Sequence, residues 1–547
     1  MSALDRLIEA DAVRRLWARD GSLFSRDPAV AASIKGLLGW VGLASSADDA
    51  ALVLAEAAQA ARRSGITDIV LLGMGGSSLA PLVLSEVLGG GEGAPRLHVL
   101  DTTSPYTVLR TIETLWPSTT LVVVSSKSGG TIEPNSLYAI FRQWAEEILG
   151  DEAGSHFIAI TDPGSSLEAR ARADGFAAVF PGLPDVGGRF SALSAFGIVP
   201  ASLAGIDVAR LTASALEMEA SCRVETGENP AAQLAAWIAD CLESGRDKLT
   251  FLASEPLAPF GLWVEQLVAE STGKDETGVV PVLERAPGDA RAWGGDRMLF
   301  VMRTPFDDEL ASVAARAPHG TPVLEIIIED PYAIGGEFVR WEFATALTGH
   351  LMGVNPFDQP NVAEAKAATA AILEGTLAAP APTMRLGDIA ITTSLPSSGT
   401  GGAGTLAAAF DALLSGADTG SYLAVLAYLP EDREIVGPLA DAVAALAAER
   451  HMACTLEIGP RYLHSTGQLH KAGPPTGRFI VVTTRDDAVV SVPGMPYTLG
   501  GLIRAQAEGD FVTLAKRGLP VVRVDLPQPA HGPVRLLAET LRGAGIG

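Results

Sequence analysis

Residues 121–133 constrain the fold of this chain most. Leu121-Val-Val-Val-Ser-Ser-Lys-Ser-Gly-Gly-Thr-Ile-Glu133 is a β-branched run that stops in hydroxyls, a lysine and two glycines. Glu133 and Pro134 then open a helix-compatible stretch. An apolar run without polar alternation predicts a strand buried on both faces, as in a parallel sheet. The turn after it gathers backbone N–H groups at the positive end of a helix dipole, which suits a phosphate. Ser126, Ser128 and Thr131 offer hydroxyl donors there, with Lys127 alongside. The same residues read equally well as a helix cap that binds nothing.

A second element of the same kind shifts that balance. Asp68-Ile-Val-Leu-Leu72 is another short apolar run, followed directly by Gly73-Met-Gly-Gly-Ser-Ser78 and then by a helix opening at Leu79. Glycines 73, 75 and 76 would let backbone come close to a ligand, with Ser77 and Ser78 at the mouth. The third glycine of a dinucleotide fingerprint and the Gly-Lys-Ser/Thr ending of a nucleotide loop are missing, so a nucleotide site is the weaker reading. Two phosphate-type turns on strands of one sheet point to a single sugar-phosphate pocket.

The chain has 547 residues, too many for one core, and two to four domains are expected. Residues 1 to about 45 read as amphipathic helix, and strand–helix alternation follows from about 46 to 224, with strands at 68–72, 97–100, 121–125 and 157–161. The pattern recurs over 225–372, with strands at 249–253, 298–302 and 323–328. This predicts two doubly wound α/β domains with parallel sheets. Ala/Pro-rich residues 373–384 read as a linker, and 385–547 as a smaller C-terminal α/β unit. Within it, Ser397–Gly404 is Ser/Gly-rich and reads as a flexible loop rather than as a further anion-binding turn.

Composition excludes several classes. The formal net charge of −24 argues against nucleic acid or anionic membrane as partners. No apolar run reaches the length of a membrane span, and Met1–Arg6 lack the regions of a signal peptide. Three scattered cysteines, Cys222, Cys241 and Cys454, predict a reducing cytoplasm and no structural metal.

Four further clusters carry chemistry or a plain structural role. In Asp185-Val-Gly-Gly-Arg-Phe-Ser191, Arg189 follows Gly187 and Gly188, so a guanidinium can reach an oxyanion beside closely approaching backbone. Gln266 and Glu270 lie four apart on one helix face; Glu270 reads as a general base or as a solvated carboxylate. Asn355-Pro-Phe-Asp-Gln-Pro360 is a turn carrying Gln359, and the helix after it carries Lys366, whose plain reading is an exposed lysine. Arg461–Lys471 packs two of the eight histidines, His464 and His470, into one polar turn or solvated loop.

Taken in order, Gly-Met-Gly-Gly-Ser-Ser, Ser-Lys-Ser-Gly-Gly-Thr-Ile-Glu, Val-Gly-Gly-Arg-Phe-Ser, Gln-x-x-x-Glu-Ser-x-Gly-Lys and Asn-Pro-Phe-Asp-Gln-Pro-x-Val-x-x-x-Lys resemble the glucose-6-phosphate isomerase family over roughly residues 65–370. The resemblance implies two sugar-isomerase (SIS) domains and reversible conversion of glucose 6-phosphate to fructose 6-phosphate without a cofactor. It implies that Ser77, Ser126, Ser128 and Thr131 hold the phosphate, with Lys127 helping through its backbone. Glu270 falls on the catalytic base, Arg189 on the residue beside the enediolate, and Lys366 on a residue near the sugar ring. Gly76, Glu133, Gln266 and Gln359 fall on positions lining the site.

That chemistry needs these residue types. One carboxylate over the C1–C2 face can move the proton both ways, a guanidinium stabilises the enediolate, and a histidine suits ring opening. The chain departs from the family in one respect. The shorter bacterial isomerases carry a His-Ser-x-Gly-Gln element between the glutamate and the Phe-Asp-Gln motif. Here His464-Ser-Thr-Gly-Gln468 follows that motif, as in the isomerase portion of transaldolase/glucose-6-phosphate isomerase fusions, and the segment from Gly295 to Val339 holds only His319. His464 is therefore the expected ring-opening residue and His470 the runner-up. In ordinary family members this histidine comes from the other subunit of a dimer, so a homodimer and the cis or trans origin of His464 both stay open. An isomerase of another sugar phosphate and a non-catalytic sugar-phosphate sensor are the alternatives.

Overall fold

The computed structural model describes residues 1–45, 65–284, 292–395, 405–485 and 489–544, with isolated positions between 53 and 60. The Ser/Gly-rich stretch 397–404 and most of 46–64 lie outside the described residues. Three sheets organise the rest. The first orders β1 (Asp68–Leu72), β2 (Arg96–Leu100), β3 (Thr120–Ser125), β4 (Phe157–Thr161) and β5 (Ala178–Pro181) as β2-β1-β3-β4-β5. All its pairings are parallel.

β1, β3 and β4 are buried along their whole length. Their alternate residues feed two separate cores. Ile69, Leu71, Leu121 and Val123 pack on one side of the sheet, and Val70, Leu72, Val122 and Val124 on the other. That two-sided burial is why these strands read as unbroken apolar runs. Because β2 and β3 lie on opposite sides of β1, the sheet has its switch point between β1 and β3. A crevice is expected there at the strands' carboxyl ends. Both hydroxyl-rich turns emerge at those ends.

The second sheet, parallel throughout, orders β6 (Lys248–Ala253), β7 (Val280–Leu283), β8 (Arg297–Arg303) and β9 (Val323–Ile327) as β7-β6-β8-β9. The C-terminal unit, smaller in the sequence reading, carries the widest sheet among the described residues. Its strands are β10 (Met384–Leu386), β11 (Ile389–Thr393), β12 (Tyr422–Tyr428), β13 (Ala453–Ile458), β14 (Gly477–Thr484) and β15 (Val521–Leu526). They run β10-β11-β15-β14-β12-β13, with every pairing parallel except those of β11, which is antiparallel to both β10 and β15.

The helix carrying Lys366, Val362–Leu373, packs on the C-terminal helix Leu499–Lys516. Gly509 lies so close to it that an added Cβ would sit 2.9 Å from the Thr369 backbone nitrogen. The Lys366 helix is thus held from the C-terminal side, across the linker read from sequence. No helix among the described residues is long and apolar enough to cross a membrane.

Candidate active site

The turn after β3 leads into the helix Ile132–Leu149, whose N-cap is Thr131. A threonine here would ordinarily cap its own helix. Instead, the Thr131 side chain makes no capping bond, and its Oγ1 accepts from Ser126 Oγ at 3.3 Å. The helix's leading N–H groups are left facing the turn, an arrangement that suits an anion. Lys127 turns its ammonium outward to Asp162 Oδ2 (2.6 Å) and the Leu183 carbonyl (2.7 Å), so only its backbone belongs to the cradle.

The turn after β1 packs tightly against two distant segments. An added Cβ at Gly76 would sit 2.0 Å from the Gly188 carbonyl oxygen. One at Gly75 would sit 2.8 Å from Gln266 Nε2 and 2.9 Å from the His464 carbonyl oxygen. Only glycine lets these backbones approach so closely. Ser77 is half-buried at the mouth of this turn.

Glu270 lies on the helix Phe260–Thr272, buried continuously from Gln266 to the helix end. Arg189 Nη1 donates to Glu270 Oε2 at 3.2 Å, and Arg189 Nε to Ser271 Oγ at 2.8 Å. Its Nη2 donates to the carbonyls of Pro356 (2.6 Å) and Asp358 (3.0 Å). Lys274, from the same helix–turn segment, grips that turn too, through Asp358 O and Oδ1 at 2.7 Å each. Burial pushes the Glu270 carboxyl above the ordinary carboxylate range, against the pull of Arg189, His464 and Lys274. Burial, together with Arg189, brings the Lys274 ammonium down to about 8.

His464 enters from the C-terminal unit, on a short helical turn after β13. Arg461 anchors that turn through two bonds to Asp101, at 2.7 and 2.9 Å. Gln468 fastens its other end to the Gly273 carbonyl (3.1 Å) and to Asn361 Oδ1 (3.0 Å). Gln266 Nε2 donates to the His464 carbonyl at 2.8 Å. The His464 ring nitrogen Nε2 meets Glu133 Oε1 at 2.9 Å, and Gln506 Nε2 donates to the same oxygen at 2.7 Å. Burial works to raise the Glu133 carboxyl, but the charge and hydrogen bond of His464 hold it below its ordinary value. An ionised Glu133 only accepts, so the ring donates through Nε2 and leaves Nδ1 for other work. A cavity of about 280 Å³ opens beside the pair, lined by Ser128, Thr131, Glu133, Lys366, His464 and Gln506 among others.

Ser126, Ser128, Thr131, Glu133, Lys366 and His464 thus gather on one side, and Gly76, Gly188, Arg189, Gln266 and Glu270 on the other, all from one chain. Gln359 stands exposed on the turn beside Asp358. His470 does not join them. Its Nδ1 meets Tyr422 OH at 3.0 Å and its Nε2 meets Glu457 Oε2 at 2.9 Å. It is buried against Tyr422 and Phe479, because residues 467–472 coil into a helix that turns it into the C-terminal core. His319 is an exposed loop residue beyond the second sheet. Sequence reasoning did not single out Gln506 or Lys274. Gln506 sits mid-helix with no local motif, and Lys274 was visible only as the last residue of a motif.

The Phosphoglucose isomerase family profile matches residues 54–294. A glucose-6-phosphate isomerase of Synechococcus sp. (strain JA-3-3Ab) is 33% identical over 353 residues, 56% of this chain and 66% of that protein. One from Nostoc punctiforme is 31% identical over 365 residues, 57% of this chain and 67% of the relative. The chain belongs to the phosphoglucose isomerase family. It spans just under two thirds of the Synechococcus protein's length. Among solved structures, a hypothetical protein from Thermus thermophilus superposes with a TM-score of 0.57 at 28% identity, covering 68% of this chain and 96% of that one. A glucose-6-phosphate isomerase from Chlamydia trachomatis superposes at 0.53 and 22% identity, over 66% and 78% of the two chains. The parallel-sheet α/β architecture is therefore the sugar-isomerase fold.

Proposed function

We propose that this protein interconverts glucose 6-phosphate and fructose 6-phosphate, with its site completed by a single chain. The observation that carries the reading is the buried Glu270–Arg189 pair set beside the His464–Glu133 pair. The turns at Ser77 and at Ser126–Thr131 take the phosphate, far from the reacting carbons, so its binding energy serves positioning. Lys366 faces the same cavity and adds a positive charge for the anionic substrate.

His464, held by Glu133, carries the hydroxyl proton from O1 to the ring oxygen as the C1–O5 bond breaks and the hemiacetal opens. Glu270 then removes the proton from C2 and returns it to C1 while the hydroxyl proton passes from O2 to O1, so no net proton is gained or lost. The negative charge that develops on oxygen in between faces the Arg189 guanidinium, which backbone carbonyls already hold in place. His464 acts in cis in this reading. Two sugar-isomerase domains over 46–224 and 225–372 supply the phosphate turns and Glu270, and the unit over 385–547 supplies the histidine. The unpaired cysteines fit a cytoplasmic setting.

The test is turnover of glucose 6-phosphate by wild type and Glu270→Gln. The substitution should lower kcat by about 10²–10⁴-fold with little change in KM. An unaltered kcat would remove Glu270 from the chemistry, and a wild type inactive on glucose 6-phosphate would sink the substrate assignment.

A further inference from the structure

We infer that Gln506 is a positioning residue of the ring-opening apparatus, holding the Glu133 carboxylate in place for His464. The inference rests on the role given to His464 above. Gln506 is 2% exposed and lies on the helix Leu499–Lys516, outside the part of the chain that the family profile matches. Its Nε2 donates to Glu133 Oε1 at 2.7 Å, and its Oε1 receives the Thr103 hydroxyl at 2.9 Å.

The polarity of this chain of bonds follows from its middle members. An ionised Glu133 can only accept, so the amide must turn its NH₂ to Glu133 and its oxygen to Thr103. Thr103 therefore donates, and the series Thr103, Gln506, Glu133, His464 has a single consistent assignment of donors and acceptors. One carboxylate oxygen takes both the amide and the imidazole. Gln506 thus fixes where that oxygen lies, and with it the tilt of the ring that donates to it. It also supplies a neutral side-chain donor to a buried anion whose other side-chain hydrogen bond comes from His464.

Three charged or titratable groups from neighbouring elements bear on the pair. Lys366 acts on Glu133 from the helix Val362–Leu373, and His464 itself acts on Glu270 of the helix Phe260–Thr272. Tyr428, at the end of β12, feels the charge of Glu133. None of these replaces the amide, whose bond to Glu133 is direct.

The experiment compares Gln506→Met and Gln506→Glu with wild type, reading kcat, KM, the pH–rate profile and the NMR titration of the His464 ring. Gln506→Met keeps the length and removes both bonds. It should lower kcat about ten- to a hundredfold, the scale of one hydrogen bond to a charged group, leave KM for the sugar phosphate nearly unchanged, and displace the His464 titration. Gln506→Glu can donate to Glu133 only while its new carboxyl is protonated. Its activity should therefore be confined to the acid side of the wild-type profile. A side chain that merely fills space would move the melting temperature without moving either the profile or the titration, and that result overturns the proposal. If Gln506→Met does not fold, the profile of Gln506→Glu decides alone, and a profile matching wild type overturns it. The His464 titration is read without substrate, so a failure here is distinguishable from failure of the isomerase assignment, which the Glu270→Gln assay reports.

Discussion

Arg189 and Glu270 are both almost wholly buried, and each is costly without the other. Removing the guanidinium with Arg189→Gln should destabilise the protein by about 3–5 kcal/mol, because a buried carboxylate loses its partner. It should also move the acid limb of kcat/KM to higher pH. Arg189 is the largest influence opposing the burial that raises Glu270, and the base works only when ionised. A pH–rate profile checks the direction, and a limb that stayed put would mean that Glu270 is not the group titrating. Lys274 offers a second test. Its ammonium titrates near 8 in the folded protein against an ordinary 10.5. Between those values the unfolded chain holds more protons than the native one, so this group makes stability rise with pH across that window. Denaturation curves of Lys274→Met should lose that slope.

At the scale of elements, the strands buried on both faces were legible as apolar runs, and β1, β3 and β4 fall within a residue of where the pattern puts them. β5 and β7 are four residues each, and Pro281 interrupts the second. β13 reads Ala-Cys-Thr-Leu-Glu-Ile, a strand whose Thr455 and Glu457 serve a buried network with Thr466 and His470. Such polar residues hide a strand from any pattern of hydrophobicity. The glycines after β1 were read as a place for a ligand to approach. They also let backbone meet backbone, since Gly76 touches Gly188. Gly76→Ala should therefore cost stability on the scale of an overpacked core, about 1–3 kcal/mol, and depress activity, measurable by urea denaturation alongside turnover. A silent Gly76→Ala would mean that the two turns can separate freely.

For the molecule as a whole, the decisive matter is which chain supplies His464. The C-terminal unit is tied to the first sheet through Arg461 and Asp101, to Asn361 through Gln468, and to the helix Ile132–Leu149 through Tyr497 and Ser136. A site completed in cis predicts that mixing Glu270→Gln with His464→Ala restores no activity, even after joint refolding. Recovered turnover would mean that two chains exchange the histidine.

The sequence by itself determined the parallel α/β plan, the two hydroxyl-rich turns and the family to which the chain belongs. These are local matters: apolar runs, glycines and short motifs of fixed spacing. It did not decide that Thr131 would leave its own helix uncapped, that His464 would reach Glu133 while His470 turned into a core, or that Gln506 would lie against the same carboxylate. The contacts of His464 and Gln506 with Glu133 join residues hundreds of positions apart, and only the packing of the C-terminal unit against the first sheet brings them within hydrogen-bonding distance.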